Sequence, residues 1–291
     1  MKILDVLELL LLAAVWGASF LFMRIASPVL GPVWLIELRV LLAGLILLLF
    51  VIKLGLITEI RRKLVPLLMV GCINSAIPFV LFAYASLSLP AGFTSILNAT
   101  TPLFGTMLSF IWLKEKLTIS RIVGFVLGFA GVVVLVGWKT VSVTQSFNLA
   151  VTAGLSAAFL YAIAAPYTKK YLSDVSPFVI AAGSQLSAAL IILFFTPFTI
   201  PSSVPTLQII FAVIALSLFC TALAYILYFR LIQNIGVTKS LTVTYLIPIF
   251  AMLWGMLFLK EPITTSMIIG CFFILSGVRS RIIYFPIYSI N

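Results

Sequence analysis

The chain contains nearly the same segment twice, once in each half. The segment beginning at Pro102 reads PLFGTMLSFIWLKEKLTISRIVGFVLGFAGV, and the one beginning at Pro248 reads PIFAMLWGMLFLKEPITTSMIIGCFFILSGV. A constant offset of 146 positions, 248 minus 102, aligns them without a gap in a chain of 291 residues. The other identical pairs at this offset are Phe104/Phe250, Leu113/Leu259, Lys114/Lys260, Glu115/Glu261, Thr118/Thr264, Ser120/Ser266, Ile122/Ile268, Gly124/Gly270, Gly131/Gly277 and Val132/Val278. An offset of half the length indicates a duplication, so both halves should adopt one fold.

Apolar residues dominate the composition: 63% of the chain is hydrophobic and 9% is charged, with a mean hydropathy of +1.29. Soluble domains average about 45–50% apolar and about 25% charged residues. The sequence therefore predicts an all-α membrane protein with the lipid bilayer as a partner. The net charge of +11 does not indicate nucleic-acid binding, because the basic residues lie in short connectors between apolar runs, where they orient a membrane protein.

The residue types needed for most catalytic and metal sites are missing or scattered. The chain has no histidine, which removes the commonest general base and metal ligand. Its three cysteines, Cys72, Cys220 and Cys271, lie within apolar runs without C-x-x-C spacing. The two aspartates, Asp5 and Asp174, lie near predicted membrane edges. We expect no enzyme, no cofactor, no metal site and no disulfide.

Ten runs are apolar and long enough to cross a bilayer as helices of about 20 residues. They cover approximately 7–26, 33–52, 64–86, 91–113, 121–138, 148–168, 177–197, 206–229, 237–259 and 265–284. Most of the 18 basic residues fall on the cytoplasmic side if the N-terminus lies there, so the positive-inside rule predicts cytoplasmic N- and C-termini.

Five spans per half is an odd number, so the halves should cross the membrane in opposite senses. The prediction is ten transmembrane helices arranged as two inverted five-helix repeats, residues 1–145 and 146–291. Lys114–Glu115 would then be cytoplasmic and Lys260–Glu261 external. In a membrane protein this symmetry is typical of a transporter that works by alternating access.

Polar residues next to prolines mark the predicted solute pocket. A proline inside a helix lacks the N–H that would satisfy a carbonyl one turn earlier, which exposes polar backbone at membrane depth. The candidate binding residues of this kind are Asn74 before Pro78, Asn98 and Thr101 with Pro102, and Thr244 and Tyr245 with Pro248. The alternative is a structural kink whose polar groups are satisfied by a neighbouring helix.

Aromatic and further polar residues complete the predicted site. An amphipathic wall suited to organic solutes could include Trp16, Tyr84, Tyr161, Tyr225, Tyr228 and Tyr245; the alternative is anchoring at the membrane interface. Gln185 is a pocket residue or an interhelical hydrogen-bonding group. Glu37 and Arg39 are candidates for a gate or an internal ion pair, but residues two apart on a helix do not face each other, so each is expected to have another partner. No acidic residue lies at the centre of a span, so proton exchange through a carboxylate is unsupported; facilitated diffusion, exchange and other coupling stay open.

Several of these elements together resemble the EamA-like ten-helix family of the drug/metabolite transporter superfamily. They are Trp16–Gly17–Ala18–Ser19, Arg39, the proline-containing helix that ends in L-K-E in each half, and the glycine pairs Gly124/Gly131 and Gly270/Gly277. The resemblance implies two five-helix halves, cytoplasmic termini, and export or exchange of small organic solutes such as amino acids or other metabolites. The apolar tail from Ile282 to Asn291 departs from the polar, basic end that is usual in such proteins.

The expected function is therefore transport of a small-molecule solute across the cell (plasma or inner) membrane, by a monomer or homodimer. The alternative is a structural or lipid-handling polytopic membrane protein without a soluble substrate. Polar residues beside prolines argue against that alternative, because a scaffold has no need of a hydrated midplane.

Overall fold

A computed structural model describes residues 2–113, 119–136, 144–201, 203–240 and 242–282, and these residues form helices and turns without a β-strand. Lys114–Glu115 and the tail beyond Ile282 lie outside the described residues. The α-helices are α1 Ile3–Lys53, α2 Ile57–Arg62, α3 Leu64–Val70, α4 Ile77–Ala85, α5 Ala91–Asn98, α6 Thr101–Leu113, α7 Ile119–Val136, α8 Gln145–Tyr171, α9 Pro177–Leu193, α10 Leu207–Ser217, α11 Ala224–Ile235, α12 Val237–Ser240, α13 Val243–Leu259 and α14 Thr265–Ile282. Two π-helical segments, Gly71–Ala76 and Leu218–Leu223, and a short 3₁₀ turn, Thr196–Phe198, complete the chain.

By length and composition, four helical stretches among the described residues can each cross a membrane. They are Ile3–Lys53, Leu64–Ala85, Gln145–Tyr171 and Leu207–Ile235, and shorter apolar helices accompany them at Ile122–Val136, Pro177–Leu193, Val243–Leu259 and Thr265–Gly277. An all-α architecture of apolar helices is thus confirmed for this part of the chain.

Helix α1 contains the first two predicted spans, because its helical assignment runs across a sharp bend. The bend lies at Gly31, whose φ of 73° and ψ of 156° are not helical. A residue with a side chain rarely adopts this conformation, whereas glycine does so at little cost. Pro28 and Pro32 flank the bend and remove backbone donors on either side of it. The bend divides α1 into a first arm, residues 3–30, and a second arm, residues 32–53.

The third and eighth predicted spans each contain a π-helical segment at nearly the same place in their half. Gly71–Ala76 separates α3 from α4, and Leu218–Leu223 separates α10 from α11. The first segment precedes Pro78, which has no N–H to continue the α-helical ladder. In the second segment the Thr221 hydroxyl donates to the carbonyl of Leu216 at 2.9 Å. A π-segment widens the helix and is frequent at functional sites.

The two prolines of the duplicated segment have different effects on their helices. Before Pro102 the helix is interrupted at residues 99–100, and the hydroxyls of Thr100 and Thr101 donate to the carbonyls of Leu97 and Asn98 at 2.6 and 2.8 Å. In the second half, α12 ends at Ser240 and α13 begins at Val243, so the break lies farther before the proline, and α13 continues through Pro248. Pro248 is the sixth residue of α13, where a missing N–H removes only one of the first ladder hydrogen bonds.

Equivalent helices of the two halves pack against each other in antiparallel orientation. A Cβ atom on Gly131 would lie 2.8 Å from the Gly270 carbonyl oxygen, and one on Gly277 would collide with the Gly124 carbonyl oxygen. A step of seven residues towards the C-terminus on α7, from Gly124 to Gly131, thus corresponds to a step of seven residues towards the N-terminus on α14, from Gly277 to Gly270. The two helices therefore run antiparallel. Small residues permit this approach.

Polar contacts connect the halves at both ends of the helical bundle. At one end, the Trp34 indole N–H donates to the Thr196 carbonyl at 3.0 Å. At the other, Lys63 Nζ lies 2.8 Å from Asp174, and the Arg230 guanidinium lies 3.1 Å from Glu8. Both ends of the bundle are thus bridged in this structure.

Candidate functional site

Arg39, on the second arm of α1, reaches across the bundle to the π-segment of the opposite half. Its Nε donates to the Thr221 hydroxyl at 3.0 Å, and its Cζ lies 3.9 Å from the ring centroid of Phe79. Nη1 lies 3.8 Å from the sulfur of Met23, a weak acceptor. These contacts fix the guanidinium inside the bundle with neutral groups around it.

Gln185, on α9, makes the matching contact in the reverse direction. Its Nε2 donates at 3.0 Å to the hydroxyl of Ser75 in the other π-segment. Gln185 follows Arg39 by 146 positions, and Thr221 follows Ser75 by the same 146. The two inter-half hydrogen bonds are therefore equivalent under the duplication.

The aromatic neighbours of these two residues obey the same relation. Tyr225 neighbours Gln185, Phe79 lies beneath the Arg39 guanidinium, and Tyr225 follows Phe79 by 146 positions. Tyr161 and Tyr225 are both close enough to Arg39 for their electrostatic interactions with it to be appreciable. We call this group of side chains from both halves the central polar cluster; its members are Arg39, Ser75, Tyr161, Gln185, Thr221 and Tyr225.

Ring contacts extend the central polar cluster on both sides. The Tyr161 ring lies 5.8 Å from that of Phe82, and the Trp16 ring lies 5.3 Å from that of Tyr228. Tyr228 follows Phe82 by 146 positions and Tyr161 follows Trp16 by 145, so each pair joins the two halves and the pairs are equivalent to within one residue. The spacings are those of favourable aromatic contacts.

The predicted ion pair of Glu37 with Arg39 is not formed. Glu37 is only 4% exposed, and its Oε2 has no hydrogen-bond partner among the described residues. Residues two positions apart lie on different sides of a helix, which explains why Arg39 contacts Thr221 and Phe79 instead. Whether Glu37 or Arg39 acts as a gate stays a prediction.

The structure brings together only some of the predicted site residues. Arg39, Tyr161 and Gln185 meet in the central polar cluster, and Asn74 neighbours Ser75 in the same π-segment. Tyr84 is 38% exposed near the end of α4. Trp16 lies on the first arm of α1, beside Tyr228. The remaining predicted residues lie on the fourth and ninth predicted spans, at the interruption between α5 and α6 or within α13: Asn98, Thr101, Pro102, Thr244, Tyr245 and Pro248.

Sequence reasoning did not select Thr221 and Phe79, although both contact Arg39. The duplication offset was the available signal, because it relates Arg39 to Gln185 and Phe79 to Tyr225. Applied to every polar residue of a predicted span, the offset pairs each candidate with its counterpart in the other half.

An apolar crevice of about 290 Å³ lies between the first arm of α1, the α10 end of the eighth span and α13. Its lining contains none of the predicted site residues: Leu11, Ala14, Val15, Ala18, Phe22, Ala215, Phe219, Cys220 and Trp254. A second recess, of about 470 Å³, lies at the end of the bundle near Asp5, Asn234 and Lys239.

A charged contact joins the halves where α1, α4, α5 and α13 come together. Arg24 Nη1 donates to the carbonyls of Ser86 and Leu87, both at 2.7 Å, and Arg24 Nε lies 3.3 Å from Glu261 Oε1. Glu261 Oε2 accepts the backbone N–H of Ala91, the first residue of α5, at 2.9 Å. We call these five residues the Arg24–Glu261 cluster.

The residue before Glu261 adopts an uncommon backbone conformation. Lys260 ends α13 with a φ of 54°, and it is the only non-glycine residue with positive φ among the described residues. Such conformations cost about 1–3 kcal/mol and are often found at switch regions. The turn directs the Glu261 carboxylate to the N-terminus of α5, where a negative charge is favourable.

Comparison with known proteins identifies the family. The model of the EamA-like transporter family matches this chain twice, over residues 5–137 and 148–280. The chain belongs to the EamA-like transporter family. It is accordingly a membrane transporter, and its apolar helices are those of a protein in a lipid bilayer.

Individual relatives of this EamA-like transporter match over most of its length. It is 24% identical to an uncharacterized transporter of Archaeoglobus fulgidus, over 90% of this chain and 93% of that protein. It is 28% identical to the uncharacterized transporter YvbV of Bacillus subtilis, over 94% and 89% of the two chains. Protein PecM of Dickeya dadantii is 27% identical over 91% and 87%. A crystal structure with 18% identity superposes with a TM-score of 0.68 over 97% of both chains, so the overall fold is shared.

Proposed function

We propose that this EamA-like transporter exports or exchanges small organic solutes, such as amino acids or similar metabolites, by alternating access. Two inverted five-helix repeats, residues 1–145 and 146–291, would exchange conformations around a solute held near the central polar cluster. The observation that carries the proposal is the equivalence of the hydrogen bonds Arg39–Thr221 and Gln185–Ser75 under the duplication.

Equivalent contacts in both directions require a two-fold relation between the halves. A two-fold axis along the helices would leave equivalent helices parallel. Because α7 and α14 are equivalent and pack antiparallel, they support an axis perpendicular to the helices. An axis in the membrane plane is the geometry of inverted repeats. The two family-model matches support the same division, since the gap between them, residues 138–147, includes the boundary at 145/146.

Conformational differences between the halves support alternating access. In the first half, α5 ends at Asn98 and α6 begins at Thr101, directly before Pro102, whereas in the second half α12 ends at Ser240 and α13 begins at Val243, five residues before Pro248. Two copies of one fold in different conformations can exchange them, and that exchange opens the site to one side and then the other. The Arg24–Glu261 cluster joins the halves at the end that the basic residues assign to the outside, so it would have to separate in the outward-open state.

The proposed orientation places both termini in the cytoplasm and the protein in the cell membrane. Lys53, Arg62 and Lys63 lie at the same end as the contacts of Asp174 and Arg230, and Arg24 and Glu261 lie at the other. This distribution supports a cytoplasmic location for the more basic end.

The apolar crevice favours one alternative, a lipid-handling protein. Its lining is entirely apolar, which suits an acyl chain better than a polar solute. Binding of an acyl chain in this crevice would leave the buried polar contacts between the halves without a function. We therefore retain transport of a polar solute as the proposed function.

Crosslinking across the halves tests the proposal. In proteoliposomes, Arg24→Cys combined with Glu261→Cys, bridged by a short bis(methanethiosulfonate) crosslinker that forms a disulfide with each cysteine, should lose flux of radiolabelled amino acids and metabolites, and reduction should restore it. The control is Arg24→Cys with Leu87→Cys, which bridges two positions of the first half and should leave flux unchanged. Flux that persists across the fully bridged Arg24/Glu261 pair would reject alternating access. Flux of labelled phospholipid alone would support the lipid-handling alternative.

A further inference from the structure

Arg39 is a buried cation that lacks an anionic partner in the described part of the chain. Only 5% of the residue is exposed, and its contacts, with Thr221, Phe79 and Met23, are all to neutral groups. None of the ion pairs among the described residues involves it. A guanidinium stays protonated in proteins, and a charge at membrane depth is costly unless it is paired or lines a solute pathway.

The inter-half hydrogen bond does not explain why position 39 carries a charge. At the equivalent position of the other half, Gln185 makes the same contact, to Ser75, with a neutral amide at the same 3.0 Å. A neutral side chain is therefore sufficient for joining the halves. The charge of Arg39 must serve a different purpose.

A second unsatisfied group lies in the same cluster. Gln185 is fully buried, and its Oε1 has no hydrogen-bond partner among the described residues. Tyr225 neighbours both Gln185 and Arg39, so the unused acceptor and the unpaired cation belong to the same cluster. A buried acceptor without a donor costs about 1–3 kcal/mol in a protein, a cost that a ligand with a donor would relieve.

We propose that the central polar cluster binds an organic anion, with the carboxylate of the solute on the guanidinium of Arg39. Nε is occupied by Thr221, and Nη1 faces only the weak acceptor sulfur of Met23. The Nη groups are therefore the donors that a carboxylate can take over, and two parallel N–H groups match a carboxylate well. Gln185 Oε1 accepts an N–H or O–H of the solute, and the rings of Tyr161 and Phe82 pack against its apolar body. The inference rests on the proposed transport function and adds the charge of the substrate.

Binding of three probes with one phenyl ring and different charge tests the inference. Phenylacetate is an anion, phenylacetamide is neutral and phenethylamine is a cation at neutral pH. With the purified protein in lipid nanodiscs, equilibrium binding should be at least about tenfold tighter for phenylacetate than for phenylacetamide, because a desolvated charge pair discriminates strongly. Phenethylamine should bind most weakly because it carries the same charge as Arg39.

Variants assign the preference to Arg39. Arg39→Gln should abolish the advantage of phenylacetate over phenylacetamide and leave phenylacetamide binding within about twofold. Arg39→Lys should keep the order of the probes with a smaller ratio, because an ammonium cannot bind a carboxylate bidentately. Arg62→Gln, at an exposed arginine, is the control and should change nothing.

Three results would overturn the inference: equal or tighter binding of phenylacetamide or phenethylamine by the unmodified protein, a phenylacetate preference that survives Arg39→Gln, or no binding of any probe. The unmodified protein alone decides the first and third, so a variant that fails to fold does not prevent a decision. Each of these results would leave the proposed transport function intact if the crosslinking experiment shows reversible loss of flux.

Discussion

Hydroxyl groups inside the bundle have two different roles at the scale of single residues. Most of them donate to a carbonyl three or four positions earlier in their own helix; Ser86, Thr94, Ser95, Thr100 and Ser217 are examples. Ser75 and Thr221 accept a hydrogen bond from a side chain of the opposite half, and Thr221 also donates to the Leu216 carbonyl. Inside a membrane the first role satisfies the backbone and the second connects the repeats.

A double-mutant cycle on Gln185 and Ser75 should detect this connection. Ser75→Ala removes the acceptor of the buried Gln185 amide and should destabilise the protein by about 0.6–2 kcal/mol, the range for polar contacts between membrane helices. In the background of Gln185→Leu, Ser75→Ala should cost much less, since no amide is left unpaired. Unfolding in mixed detergent gives the four free energies. Equal costs in both backgrounds would show that the contact contributes nothing.

A matched control is Ser95→Ala, in the same half of the chain. Ser95 is also buried, but its hydroxyl donates to the Gly92 carbonyl within its own helix. The loss of unfolding free energy caused by Ser95→Ala should be the same with glutamine and with leucine at position 185. A dependence on Gln185 at this position would mean that the cycle reports general loosening of the bundle.

Single residues of the site could be predicted from the sequence to a limited extent. Arg39, Tyr161 and Gln185 are polar or amphipathic residues within apolar runs, which is a signal visible in a sequence. Thr221 and Ser75 carry hydroxyls, which by default bond to their own helix, so only the position of a partner reveals their second role. The partner lies more than 100 positions away in the chain, beyond the reach of local patterns.

Interruptions define the elements of this fold, and they arise from three kinds of backbone feature. Gly31 bends α1 through a positive φ, the π-segments widen the third and eighth spans, and residues 99–100 separate α5 from α6. The sequence predicts the helices well from its apolar runs, and its prolines mark where a helix can be interrupted. It does not predict that Pro248 is tolerated within α13, because the cost of a proline depends on where its helix begins.

The packing of α7 against α14 yields a prediction at this scale. Gly270→Leu would push a side chain towards the Gly131 carbonyl oxygen and the backbone of Leu135. Overpacking of this kind typically costs about 1–3 kcal/mol, so the variant should unfold at a lower temperature in detergent. The control Phe272→Leu changes a residue on the same helix that is mostly exposed and should have little effect. A Gly270→Leu protein as stable as the unmodified one would contradict the close helix approach.

At the scale of the whole molecule, we propose two copies of one fold related by a two-fold axis. The offset of 146 positions aligns the duplicated sequences, the cross-bundle hydrogen bonds and, within one residue, the aromatic pairs and the π-segments. The sequence alone predicts the duplication and, through its odd number of spans per half, the inversion. It does not predict which side chains meet at the axis, because these contacts form only when the halves pack.

Cysteine labelling of equivalent exposed positions tests the inverted arrangement most directly. Ser88 and Asn234 are both exposed and lie 146 positions apart, as do Lys53 and Thr199. In intact cells, an impermeant maleimide should label Ser88→Cys and Thr199→Cys, and it should label Asn234→Cys and Lys53→Cys only after permeabilisation. Labelling of both members of either pair from the same side of the membrane would contradict the two-fold, inverted relation on which the proposed mechanism depends.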